Sequence, residues 1–138
     1  MHNVTSYSYR FDVLVNGVAR STGATHFQEV AFVFDNIKGQ GYAVNPFGNL
    51  TAEAEQKFNA LAKLMSRSWV SFITTGSPNE NGVAGAPEWP VYDVREGGGE
   101  GRNLVWGVGG SGSYVEGDMY RGAAMAWLSG NALGVFGM

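Results

Sequence analysis

Two histidines occur in the 138 residues, His2 and His26, and the second stands in a setting suited to proton transfer. It follows Gly23-Ala24-Thr25, small residues through which the backbone can bend. After Phe27-Gln28-Glu29 comes an apolar run, Val30-Ala31-Phe32-Val33-Phe34, that can anchor what precedes it. A histidine that shuttles protons must be held rigidly and still reach an open cavity. An isolated histidine beside apolar residues is more often a hydrogen-bonded structural residue, so its chemistry depends on what the rest of the chain builds around it. Glu29, three residues further on a helical turn, could face the same side and orient the ring, in a supporting or structural role.

The elements that must position His26 are legible in outline. Tyr7-Ser8-Tyr9-Arg10-Phe11-Asp12-Val13-Leu14-Val15 mixes aromatic and β-branched residues ahead of an Asn16-Gly17 turn signal, and reads as a strand. Residues 29–34 are short enough to be a helical turn or a buried strand, which periodicity does not separate. Residues 35–48, with their glycines and Pro46, read as surface loop. From Thr51 the pattern is helical: Phe58, Leu61, Met65, Trp69 and Phe72 recur every three or four residues on one face. Glu53 and Glu55 open this helix, Lys63 and Arg67 lie further along, and Gly76 with Pro78 ends it. At about 24 residues it would run roughly 36 Å, and so long an apolar stripe needs a substantial partner surface. Asn103-Leu104-Val105-Trp106 is a candidate strand, and residues 118–128 read as a second helix with Asp118 as its cap.

Composition narrows the function classes. A net charge of -3, without any lysine or arginine run, offers no field for nucleic acid or an anionic membrane surface. With no cysteine there is neither disulfide nor thiolate metal site, which leaves the redox compartment undetermined. His2 and His26 are far apart and no His-Glu-x-x-His or carboxylate cluster occurs, so no metal is expected, and no cofactor is implied. Met1-His2-Asn3-Val4-Thr5 lacks the features of a signal peptide, and no apolar run approaches membrane-spanning length, so a soluble chain without a transmembrane segment is expected. The runs Gly97-Gly98-Gly99-Glu100-Gly101 and Gly107-Val108-Gly109-Gly110-Ser111-Gly112 read as flexible connectors, since neither ends in the Gly-Lys-Ser/Thr of a phosphate loop. Two or three strands and two or three helices cannot cover Trp69, Trp89, Trp106 and Trp127, so the chain is expected to be incomplete as an isolated domain, the end of a larger α/β structure.

The order of landmarks resembles the C-terminal part of type B carboxylesterases, the family of fungal lipases and cholinesterases. The resemblance rests on Tyr7-Ser8-Tyr9-Arg10-Phe11-Asp12; on Gly23-x-x-His26-x-x-Glu29-x-x-Phe32-Val33-Phe34; on Leu50-Thr51-Ala52-Glu53; on Met65-Ser66-Arg67-Ser68-Trp69-Val70-Ser71-Phe72; on Gly76-Ser77-Pro78-Asn79; and on Trp89-Pro90-Val91-Tyr92. It runs over residues 1–138, weakest between Gly97 and Gly112, and returns at Asp118-Met119-Tyr120-Arg121. It implies the C-terminal portion of an α/β-hydrolase fold: the last strands of the sheet, a long amphipathic helix and a C-terminal helix. It also implies that His26 is the histidine of a triad whose order along the chain is serine, acid, histidine. An imidazole, with an ordinary pKa of about 6.5, can take a proton from a serine hydroxyl and return it to the departing alcohol.

The nucleophile itself is missing, for no Gly-x-Ser-x-Gly occurs in the sequence. Gly110-Ser111-Gly112 imitates it but follows His26 and lacks the second glycine. Gly97-Gly98-Gly99 imitates an oxyanion-hole motif at the wrong end of the chain. Serine, acid and oxyanion loop are therefore expected from an upstream part of the same esterase. The segment, inactive alone, would contribute His26 to a site acting on a small-molecule or lipid ester. A secreted, extracellular setting is what the resemblance implies, and Asn3-Val4-Thr5 and Asn49-Leu50-Thr51 match the glycosylation sequon that would suit it. Two other readings stay open: a cholinesterase-like adhesion or binding module that has lost catalysis, and a free-standing fragment whose aromatic face takes a partner.

Overall fold

A computed structural model describes residues 4–93 and 101–137. His2, the first residue of the Asn3 sequon and most of the Gly97 run lie outside the described residues. The order is β1 (Ser8–Phe11), α1 (Val30–Val33), α2 (Ala52–Thr75), β2 (Arg102–Trp106), β3 (Tyr114–Gly117) and α3 (Gly122–Phe136). The three strands form one sheet in the order β1-β2-β3. β1 runs parallel to β2 with Ser8 opposite Asn103 and Phe11 opposite Trp106, and β3 returns antiparallel with Val105 opposite Tyr114.

β1 is shorter than the strand expected over residues 7–15. Pairing ends where the Asp12 amide reaches the Trp106 carbonyl at 2.9 Å, because Trp106 is the last residue of β2. Val13 and Val15 leave the sheet and bury in the core, ahead of the turn at Asn16-Gly17. The ambiguous segment at residues 29–34 is helical. Its Ala31 and Phe32 are buried, with Phe32 stacked among Phe11, Phe47 and Phe58. Residues 35–48 form loop and turns, but Pro46 and Phe47 tuck inward.

The expected long helix is α2, 24 residues between an N-cap at Thr51, whose hydroxyl accepts from the Ala54 amide at 3.3 Å, and a left-handed Gly76 at φ 79. That φ suits glycine and closes the last turn through the Gly76 amide to the Phe72 carbonyl. Phe58, Leu61, Ala62 and Met65 enter the core formed with Leu104 and Trp106. The predicted stripe continues to Trp69, half-buried, and to Phe72, which is exposed. Trp89 joins sheet and helix: its indole N–H donates to the Ser8 carbonyl at 2.8 Å, and its ring contacts Tyr7, Tyr9, Trp69 and Trp106. Asn79 holds the Trp89 backbone from both sides, at 2.8 and 2.9 Å.

The second half differs from expectation in three places. β3 was not foreseen; the Gly107 run is the connection of a β2–β3 hairpin, described through Gly112. The last helix begins at Gly122, behind a left-handed Arg121, and Asp118 is not its cap. The Asp118 carboxylate instead accepts from the Tyr92 hydroxyl at 2.6 Å and the Asn103 amide at 2.7 Å. Trp127, expected to need burial, is 57% exposed.

Candidate functional site

The backbone delivers His26 to the surface. The chain leaves the C-terminal end of β1, packs Val13 and Val15 inward, turns at Asn16-Gly17 and arrives at a second turn, Thr25 to Gln28, directly before α1. The Gln28 amide reaches the Thr25 carbonyl at 3.4 Å, and the Gln28 side-chain amide donates to the Thr25 hydroxyl at 2.6 Å. His26 and Phe27 therefore sit inside two concentric closures, one of main chain and one of side chain. His26 is exposed on this turn, its ring 6.4 Å from that of Phe27, and Phe27 in turn lies 6.3 Å from Tyr42. Buried Ala31 and Phe32 anchor the following turn of helix, so an open side chain is carried on a fixed base.

Phe27 stands at φ 76, in the left-handed region. For an aromatic residue that conformation costs on the order of 1–3 kcal/mol and persists only where its surroundings impose it. From the sequence Thr25 reads only as part of the small-residue approach to His26, and Phe27 and Gln28 carry no signal of their part in the turn. A glycine at position 27 would have signalled this turn, and phenylalanine conceals it.

Glu29 is the N-terminal boundary of α1, where its carbonyl accepts from the Phe32 and Val33 amides at 2.9 and 3.0 Å. Its half-buried carboxylate makes no side-chain hydrogen bond or ion pair with His26 among the described residues. Its charge acts instead on two phenols: burial first and Glu29 second push Tyr9 and Tyr42 above the usual tyrosine range.

Other candidates are placed elsewhere. Ser111, exposed in the β2–β3 connection, borders a cleft of about 390 Å³ whose wall includes Leu61, Leu64, Val83, Pro87 and Val108, and His26 is not among its lining residues. An aromatic pocket of about 190 Å³ opens between Tyr7, Tyr9, Ser68, Trp69, Phe72 and Trp89. On the opposite face of the sheet Arg10 reaches across β2 to Glu116 at 2.9 Å and lies 4.4 Å from the Tyr120 ring centroid, a clasp over buried Val105. No group of three or more His, Asp or Glu gathers among the described residues to hold a metal.

The Carboxylesterase family matches over residues 1–99, a span that includes the His26 turn and α2. The chain belongs to the carboxylesterase family. Carboxylesterase 4A of Bos taurus is 30% identical over 93 residues, 65% of this chain and 14% of that protein. Fumonisin B1 esterase of Sphingopyxis macrogoltabida is 33% identical over 89 residues, 64% of this chain and 15% of that protein. The crystal structure of the Geobacillus stearothermophilus carboxylesterase EST55 superposes with a TM-score of 0.63 at 30% identity, over 89% of this chain and 22% of that one. This carboxylesterase segment thus spans only about a seventh of the length of these two curated relatives, 14% and 15%. Its small sheet with helices is a portion of the α/β-hydrolase fold. Among the described residues no helix is long and apolar enough to cross a membrane.

Proposed function

We propose that residues 1–138 act as the C-terminal segment of a carboxylic-ester hydrolase and that His26 is its general base. The observation that carries this reading is the presentation of His26, open to its surroundings on a strained turn whose base is locked into the core by Phe32. A serine supplied by another stretch of polypeptide attacks the ester carbonyl as the imidazole takes its proton. The imidazolium then protonates the departing alcohol, and the acyl-enzyme is hydrolysed by water that His26 activates. Serine, triad acid and oxyanion donors come from the upstream part of the esterase. Glu29 supports the ring from the start of α1 through the turn rather than as the triad acid.

The surface supports a segment made to be covered. Phe34, Ile73 and Leu133 are each more than three-quarters exposed, at 76, 77 and 77%, in a chain whose core is otherwise well packed. In the complete enzyme the substrate is a small-molecule or lipid ester.

The test is direct. The purified 138-residue chain is expected to hydrolyse no p-nitrophenyl ester above buffer. Joined to the rest of its esterase, it should support hydrolysis that His26→Ala lowers by about 10⁴-fold or more. Hydrolysis by the isolated chain that disappears in His26→Ala would overturn the reading, as would an intact esterase indifferent to that substitution.

A further inference from the structure

The turn that carries His26 holds a conformation its own sequence disfavours. Phe27 is left-handed at φ 76 while His26 is not, and the Gln28 amide closes back on the Thr25 carbonyl. By sign this is the β-turn whose third position is ordinarily glycine. With phenylalanine there, the turn needs an outside constraint to keep its shape, and the direction in which the imidazole is presented depends on that shape.

The nearest constraint is the side-chain bond from Gln28 Nε2 to Thr25 Oγ1, at 2.6 Å, which spans the same two residues. Gln28 holds this pose at a cost. Its carbonyl oxygen Oε1 is enclosed without a hydrogen-bond partner, a penalty that an amide turned outward to water would escape. A side chain kept where half of its amide goes unsatisfied is held by what the other half does. The Phe27 ring leans on Tyr42 at 6.3 Å but makes no hydrogen bond there, so it steadies the turn without fixing its sense.

We propose that Gln28 and Thr25 are positioning residues for His26: their side-chain clasp keeps Phe27 left-handed and so fixes the direction of the imidazole. The catalytic consequence rests on the reading of His26 as general base. The effect on the ring is a property of this chain by itself.

The experiment is NMR of the isotopically labelled chain, reading the His26 Hα–Hβ couplings and the relaxation of its ring, with far-UV circular dichroism as a control that α2 is intact. Gln28→Ala and Thr25→Val should average the couplings toward free rotation. Thr25→Ser, which keeps the hydroxyl that accepts from the Gln28 amide, should keep them. The decisive variant is the double substitution Phe27→Gly with Gln28→Ala. Glycine takes the left-handed conformation unaided, so the clasp becomes dispensable and the ring order returns. In the joined esterase, Gln28→Ala should lower kcat about tenfold with KM within about twofold, a loss that Phe27→Gly recovers. Couplings in Gln28→Ala equal to those of the unaltered chain would overturn the proposal, and so would a double variant as loose as the single one. Failure of the functional reading looks different: His26→Ala would leave hydrolysis untouched while Gln28→Ala still loosened the ring.

Discussion

The two long helices, α2 and α3, carry their apolar residues in different ways. Up to Arg67, α2 spends them on one side: Phe58, Leu61, Ala62 and Met65 are buried, while Glu53, Lys57, Lys63 and Arg67 stand in water, and only its last turns leave Val70, Phe72 and Ile73 exposed. It is closed at both ends, by the Thr51 hydroxyl and by left-handed Gly76, and Glu53 pairs with Lys57 one turn along at 2.7 Å. α3 has no charged residue between Gly122 and Phe136, no side-chain cap, and Met125, Trp127 and Leu133 are 57, 57 and 77% exposed. An amphipathic period records where a helix lies relative to its own core. Uniform apolarity records only that water is the wrong surrounding. The half of the segment that holds the His26 turn is thus supported from within, and the last helix is not.

The largest effects should fall on the α2 side. Phe32→Ala, which empties the centre of the stack with Phe11, Phe47 and Phe58, should cost about 3–5 kcal/mol, and Met65→Ala about 2–5 kcal/mol. Leu133→Ala on α3 should stay within about 0.5 kcal/mol. Urea midpoints of the three variants check this, and equal losses at Met65 and Leu133 would break the contrast between the helices.

A smaller effect separates them by sign at their ends. Gly76→Ala forces a side chain into φ 79 and should destabilise α2 by about 1 kcal/mol, as should Thr51→Ala, which removes the N-cap acceptor. At the start of α3, Arg121 occupies φ 54 with its side chain against the Tyr120 ring, 5.4 Å from the centroid. Arg121→Gly should relieve the backbone by about 0.4–1 kcal/mol, less whatever that ring contact returns. Thermal midpoints moving down at position 76 and up at position 121 would sharpen the comparison; the same direction at both would remove it.

What was legible in the sequence follows the same division. Thr51, the apolar period and Gly76-Ser77-Pro78 located α2 because each signal is local and each agrees with the tertiary outcome. The family resemblance, carried by landmarks from Tyr7 to Tyr92, was legible for the same reason, and the Carboxylesterase match over residues 1–99 bears it out. That the backbone bends ahead of His26 could be read from Gly23-Ala24-Thr25, but the form of its turn could not, because phenylalanine at φ 76 contradicts local preference. β3 is four residues behind a glycine run and takes its strand character from pairing with β2. Asp118 looked like a cap from its position alone, and its partners Tyr92 and Asn103 lie 26 and 15 residues away in sequence.

That Asp118 cluster gives the smallest and most specific test, since it ties the approach to α3 to the body of the segment. The Tyr92 hydroxyl, and after it the Asn103 amide, holds the Asp118 carboxyl below the usual carboxylate range. The same bond to Asp118 pushes the Tyr92 phenol up. A depressed carboxylate adds stability that is complete above its unfolded value of about 3.9 and fades as pH falls through the folded one. A raised phenol adds stability that is complete below about 10 and fades as pH rises through its folded value. The contribution is therefore a plateau between those limits, reduced at both ends, and exposure of the Asp118 side keeps it below about 1 kcal/mol. Asp118→Asn, which removes the carboxylate from this cluster, should shrink both shoulders of the thermal midpoint against pH. Tyr92→Phe should reduce the alkaline shoulder to what the raised Tyr9 and Tyr42 phenols contribute, and retain part of the acid one through Asn103. Profiles of Asp118→Asn that superimpose on those of the unaltered chain would show that this cluster does not fasten the approach to α3.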